Sequence, residues 1–200
     1  MAEASTNEEW LKEVPPQQVA SFGTTVIHAA MVREPWRLET EAFVIPTGPS
    51  GELEGGFARH LQKVAGSYWS RLEGDFRKQK TSAPFGPESP VAVPVKLPFT
   101  PARAAIFATG LKQTGRSYAG EAAAAVVRLT REMNLATLVL PLLGSGDAQV
   151  ASPKATAEIM LSALHGAAVE GQLAHLKQVI ITTFTKEAFD VLQKIGPRCA

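Results

Sequence analysis

Ala136-Thr137-Leu138-Val139-Leu140-Pro141-Leu142-Leu143-Gly144-Ser145-Gly146 is the stretch on which the fold turns. Apart from Thr137, residues 136–141 are apolar without alternation, as a strand covered on both faces requires. Glycines at 144 and 146 end the run. A helical pattern follows, with Ala157, Met160, Leu161, Leu164 and Ala168 on one face. A strand buried on both sides, a glycine turn and an amphipathic helix form the repeating unit of α/β folds.

The same rhythm extends in both directions. Upstream, residues 24–32 and 41–45 read as strands, and a turn-rich segment, 46–56, leads into a helix with Phe57, Leu61, Val64, Tyr68 and Leu72 on one face. Residues 81–90 form a loop with three prolines and a glycine. Val91 to Leu97 reads as a strand, and Pro94, which has no N–H to give a ladder, places it at a sheet edge. Residues 104–109 form a buried strand closed by Gly110, and Ala122, Val126, Leu129 and Met133 line the next helix. Downstream, residues 176–184 make the last strand. Thr185 caps a final helix carrying Phe189, Leu192 and Ile195, which Gly196-Pro197 should stop. The expectation is one α/β domain over residues 23–197, a mixed sheet of about six strands flanked by helices, preceded by an N-terminal extension, 1–22.

Bulk composition narrows the function classes. Lys+Arg 20 against Asp+Glu 19 gives no basic excess of the kind that nucleic-acid phosphates demand. The most basic run, Arg71 to Lys80, is diluted by Glu73 and Asp75 and reads as a solvated helix end. No nucleic-acid partner is expected. No stretch reaches the length of a membrane span, and the acidic start does not read as a signal peptide, so no membrane partner is expected and the cytoplasm is the expected compartment. Cys199 is the single cysteine, which rules out an internal disulfide and a cysteine-built metal site.

Two loops at strand ends carry the candidate chemistry. Residues 46–56 contain Gly48, Gly51, Gly55 and Gly56 just before a helix, and Gly144-Ser145-Gly146 precedes another. Glycine lets backbone N–H groups approach an anion, and a helix N-terminus adds partial positive charge. Neither loop completes the dinucleotide fingerprint, and no Gly-Lys-Ser/Thr phosphate loop is present.

The order and wording of these segments resemble the macro domain, the ADP-ribose-binding module, over residues 24–195. The resemblance rests on Glu41-Ala42-Phe43-Val44-Ile45 leading through Gly55-Gly56-Phe57-Ala58, on Pro141-Leu142-Leu143-Gly144-Ser145-Gly146, and on the closing strand and helix from Val179 to Phe189. It implies that ADP-ribose or a related NAD-derived nucleotide, free or on an ADP-ribosylated protein, is the ligand. Gly55, Gly56 and Phe57 would hold the diphosphate from one side and Gly144, Ser145 and Gly146 from the other. Glu34 stands where many macro domains place an adenine-binding aspartate; an exposed turn glutamate is the alternative.

This chain also departs from the family pattern. The family's asparagine-bearing stretch falls on Ile45-Pro46-Thr47-Gly48, leaving Gly48 at the ligand-facing position with no asparagine, and the aromatic after the second loop is replaced by Asp147-Ala148-Gln149. One branch, the terminal ADP-ribosyl-glutamate hydrolases, uses a lysine and an aspartate instead. The matching residues are Lys112 and Asp147, with the lysine attacking the opened ribose and the aspartate moving the proton.

Three readings follow: a nucleotide-binding module, an ADP-ribosyl-glutamate/aspartate hydrolase using Lys112 and Asp147, or a scaffold that keeps the fold without a working site. No cofactor is implied. His28 reads as structural and His60 as either a phosphate neighbour or an exposed helix residue. His165 and His175 lack partners at ligand spacing, so no metal is expected. Trp36 is the tryptophan placed to meet an adenine.

Overall fold

A computed structural model describes residues 12–82, 84–112, 117–144 and 152–199. The chain runs through β1 (Val14–Phe22), β2 (Thr25–Met31), a 3-10 turn at Pro35–Arg37, β3 (Ala42–Pro46), α1 (Gly56–Ala65) and α2 (Ser67–Ser82). It continues through β4 (Val91–Pro94), β5 (Ala104–Ala108), α3 (Ala119–Glu132), β6 (Thr137–Pro141), α4 (Pro153–Val169), β7 (Gln178–Thr183) and α5 (Lys186–Cys199). The strands form one seven-stranded sheet in the order β1-β2-β7-β6-β3-β5-β4. The five inner strands are parallel, and β1 and β4 close the edges antiparallel.

Side chains of the parallel strands alternate between two apolar layers, as the pleat requires. Phe43, Ile45, Ala105, Phe107, Val139 and Ile180 pack with α1 and α2 on one face. Val44, Ile106, Leu138, Leu140, Val179 and Ile181 pack with α3, α4 and α5 on the other. On the first face the ring of Phe76 stacks on Phe107 at 4.1 Å between centroids, which fixes α2 to the middle of β5.

The α/β class and the helices on both faces match the sequence reading, with three differences. The sheet has seven strands because residues 14–22, read as extension, pair with β2 through Phe22↔Thr25 and Gln18↔His28. The helix expected from Phe57 to Leu72 is broken at Gly66, which takes φ +55°, a left-handed conformation that glycine reaches without Cβ strain. The break resets the helical phase, so Tyr68 is 46% exposed while Trp69 joins Leu72 and Phe76 inside. Finally, α5 runs on past Gly196-Pro197 to Cys199. Gly196 serves as a contact point: a Cβ there would lie 2.6 Å from the Val19 carbonyl oxygen, so only glycine lets β1 lie this close to α5. Two finer expectations match: β4, with Pro94, lies at the sheet edge, and the Thr185 hydroxyl accepts from the Ala188 N–H at 3.3 Å.

Candidate functional site

The helix following β3 packs on one face of the sheet, and the helices following β5 and β6 pack on the other. The chain therefore leaves neighbouring strands β3 and β6 in opposite directions, which makes their carboxyl ends a topological switch point, where open α/β sheets bind ligands. The ladder shows the separation directly. β3 stays paired with β5 from Ala42↔Ala104 to Pro46↔Ala108, and β6 stays paired with β7 from Thr137↔Gln178 to Pro141↔Thr182. Between β3 and β6 only Ala42↔Leu138 and Phe43↔Val139 are in register. Beyond Phe43 and Val139 the two strands share no further ladder pair.

The segment after β3 leads into the N-terminus of α1. Its N-cap is Gly55, and no side chain caps it. The first N–H groups of a helix have no intrahelical acceptor, so they and the helix dipole face outward. A Cβ built at Gly55 or Gly56 meets no atom within 4 Å, so these glycines border open space. The helix after the second loop differs: the Ser152 hydroxyl accepts from the Ala155 N–H at 3.2 Å and Pro153 opens α4, so that end is already capped.

The ends of β5 and β6 meet each other. A Cβ at Gly110 would lie 3.0 Å from Leu143 Cβ and 3.1 Å from the Leu143 carbonyl oxygen, so the two loops touch there through glycine. Gly144 takes φ +83° and lies beside Leu111. The Tyr118 N–H donates to the Gly110 carbonyl at 2.7 Å, and Leu111 bridges to Ser117. That closure brings the Lys112 ammonium over the Tyr118 ring, 4.1 Å from its centroid.

The segments following β2 and β7 bring aromatic rings together. Trp36, 1% exposed, packs edge-on to Phe57 at 5.3 Å and beside His60 at 5.5 Å. Phe57 in turn meets Phe184, just past β7, at 6.1 Å. Phe184 is 38% exposed. Glu34, before the 3-10 turn, pairs with Arg37 through one carboxylate oxygen and lies 3.6 Å from His60 Nε2 through the other.

Seven of the sequence-derived site residues thus lie at the carboxyl end of the sheet: Glu34 after β2, Gly48, Gly55, Gly56 and Phe57 after β3, Lys112 after β5, and Gly144 after β6. Ser145, Gly146 and Asp147 lie outside the described residues. Within this group Gly48 is bound into its own loop: its N–H donates to the Glu52 carbonyl at 2.9 Å, and the Glu52 side chain fills the place of a Cβ. Trp36 supports Phe57 and His60 from beneath, and its burial keeps the ring from a ligand. From sequence, Phe184 reads only as part of the last strand. An aromatic directly after a β-branched run, at the carboxyl edge, is the signal that points to it.

The histidines divide as their surroundings dictate. His28 lies 3.3 Å from Gln178 Nε2 and His175 3.0 Å from the Thr130 hydroxyl. Burial lowers the pKa of both. No group of three or more metal-ligating side chains occurs among the described residues.

The fold has clear counterparts among solved structures, although no protein-family model and no curated protein matches the chain. The Oceanobacillus iheyensis macrodomain with ADP superposes at TM-score 0.72 and 13% identity, covering 90% of this chain and 93% of that one. A point mutant of that macrodomain with ADPR gives the same TM-score and identity over 90% and 95%. The Trypanosoma brucei macrodomain in complex with ADP gives 0.65 and 13%, over 90% and 73%. The macrodomain of Mycobacterium tuberculosis DarG gives 0.56 and 18%, over 75% and 93%. A mixed α/β sheet with a topological switch point between β3 and β6 is the class that the chain's own geometry defines. Within that class its fold is the macrodomain fold.

Proposed function

We propose that the carboxyl end of the sheet binds ADP-ribose or a related NAD-derived nucleotide through the two glycine loops. The observation that carries this is the uncapped N-terminus of α1, open at Gly55 and Gly56 in the segment that follows β3, beside the switch point between β3 and β6. Backbone N–H groups at a helix start suit a diphosphate, which needs several donors and no matching side-chain charge. The aromatic end suits a nucleobase: Phe184 offers an exposed ring, and Glu34 offers carboxylate oxygens to an exocyclic amine. The distal ribose then extends toward Gly144 and Lys112. With the Tyr118 ring face holding the Lys112 ammonium, a charge contact to the ligand is favoured over attack by a free amine. Solved structures of the same fold with ADP or ADPR support the reading.

Calorimetric titration with ADP-ribose, ADP, AMP and NAD in parallel tests it. ADP-ribose is expected to bind most tightly and AMP most weakly, because AMP lacks the second phosphate. A panel that produces no heat and no thermal shift at millimolar ligand refutes the proposal.

A further inference from the structure

The basic end of α2 contains one residue that does not point to solvent. Arg77, Lys78 and Gln79 are exposed, whereas Lys80 is half-buried. Its ammonium donates to the Ser50 carbonyl, thirty positions earlier at the tip of the first glycine loop. It also lies 5.9 Å from the centroid of Phe85, whose ring meets Phe76 at 5.6 Å. Lys80 Nζ and Phe76 Cζ each come within 3.0 Å of where a Gly51 Cβ would sit, so the loop tip rests directly on α2.

The loop is a closed unit of its own. The Gly51 N–H donates to the Gly48 carbonyl at 3.0 Å, and the Gly48 N–H to the Glu52 carbonyl at 2.9 Å. The Ser50 N–H donates to the Glu52 carboxylate at 2.9 Å. Lys80 also attracts that carboxylate electrostatically. A unit braced internally moves as one piece, so a charged contact from outside it sets its orientation. Three residues beyond Glu52, the same segment delivers Gly55 and Gly56 to the open end of α1.

We propose that Lys80 is a positioning residue for the nucleotide site: it ties the tip of the first glycine loop to α2 and so holds the Gly55–Gly56 donors in place. The inference rests on the nucleotide-binding reading above. Lys80 acts through Ser50 and Glu52 rather than on the ligand itself.

Lys80→Met keeps most of the aliphatic stem and removes the charged donor. Hydrogen exchange of the ligand-free variant should speed up across residues 47–56, with the rest of the chain and the melting temperature near parent values. ADP-ribose affinity should fall about three- to tenfold, a fraction of what a charge-assisted hydrogen bond is worth when fully expressed. Lys80→Gln serves where the methionine variant does not fold. Unchanged exchange in the loop refutes the tether whether or not the parent binds nucleotide. Faster exchange with parental ADP-ribose affinity refutes the positioning role, and a parent that binds no nucleotide refutes the underlying site reading instead.

Discussion

Gly56→Glu should make the folded protein more stable and its ligand affinity much worse. Gly56 opens α1 with a backbone that is not left-handed, and a Cβ there meets nothing within 4 Å, so a glutamate is accommodated. Replacing glycine in a helix and adding an acidic group to an uncapped first turn together contribute about 1 kcal/mol. For a chain of this size that raises the melting temperature by about 2–4 °C. The same carboxylate lies where a diphosphate would accept the N–H groups. Two unit charges about 4 Å apart repel by about 4 kcal/mol at the effective dielectric of a protein surface, and allowing for solvent exposure leaves about 3 kcal/mol, or about a hundredfold in Kd. Thermal shift with and without ADP-ribose reads both effects. The parent should gain about 5–10 °C at a hundred times its Kd, while the variant should start higher and gain little at that concentration. A variant that melts like the parent and gains the same shift refutes the assignment of α1 as the phosphate end.

Three further outcomes follow from the structure. Lys112→Ala should weaken ADP-ribose binding several-fold through loss of a charge contact; turnover of a glutamate-linked ADP-ribose substrate by the parent, abolished in both Lys112→Ala and Asp147→Ala with binding retained, would instead make the pair catalytic. Gly196→Ala should destabilise the fold by about 1–3 kcal/mol, because its methyl meets the Val19 carbonyl at 2.6 Å, and chemical denaturation should show the midpoint fall with the slope unchanged. Thermal stability should fall on acidification in two stages. His28 and His175, whose pKa values burial lowers, contribute fully above about pH 6.5 and lose that contribution as pH falls through their folded values. Glu41 is held below the usual carboxylate range, first by the Ala136 N–H and then by Arg103 against opposing burial, so its contribution disappears only below about pH 4.3. Melts from pH 3 to 8 on the parent and Glu41→Gln check the order, and an acid limb identical in the two proteins refutes the Glu41 assignment.

The inner strands were legible because burial on both faces leaves an unbroken apolar run, as at 138–141, and β4 because Pro94 allows it only an edge. β1 escaped notice because only Val19, Ala20 and Phe22 of its nine residues are buried, and Pro15-Pro16 looks like a linker. The break at Gly66 was hidden because the periodicity from Phe57 to Leu72 runs across it without a gap; only the backbone reveals the change of phase. Within the site, the glycine loops announced themselves by composition. Lys80 could not, because its meaning depends on a carbonyl thirty residues away, and a lysine in a charged helix end looks the same whether it faces water or a loop.

The point at which the ladder between β3 and β6 ends has a consequence for the nucleotide site proposed above. Each strand ends in proline, Pro46 on one side and Pro141 on the other. Two neighbouring strands lengthen their ladder by alternating N–H donors, and the residue at the end of each of these brings none. The ladder between them therefore ends before these prolines. For the nucleotide site proposed above, no backbone hydrogen bonds between these strand ends would have to be broken to admit the ligand, and binding free energy would not be spent on separating them. An unlatched seam of this kind would favour fast entry and an empty state shaped like the occupied one.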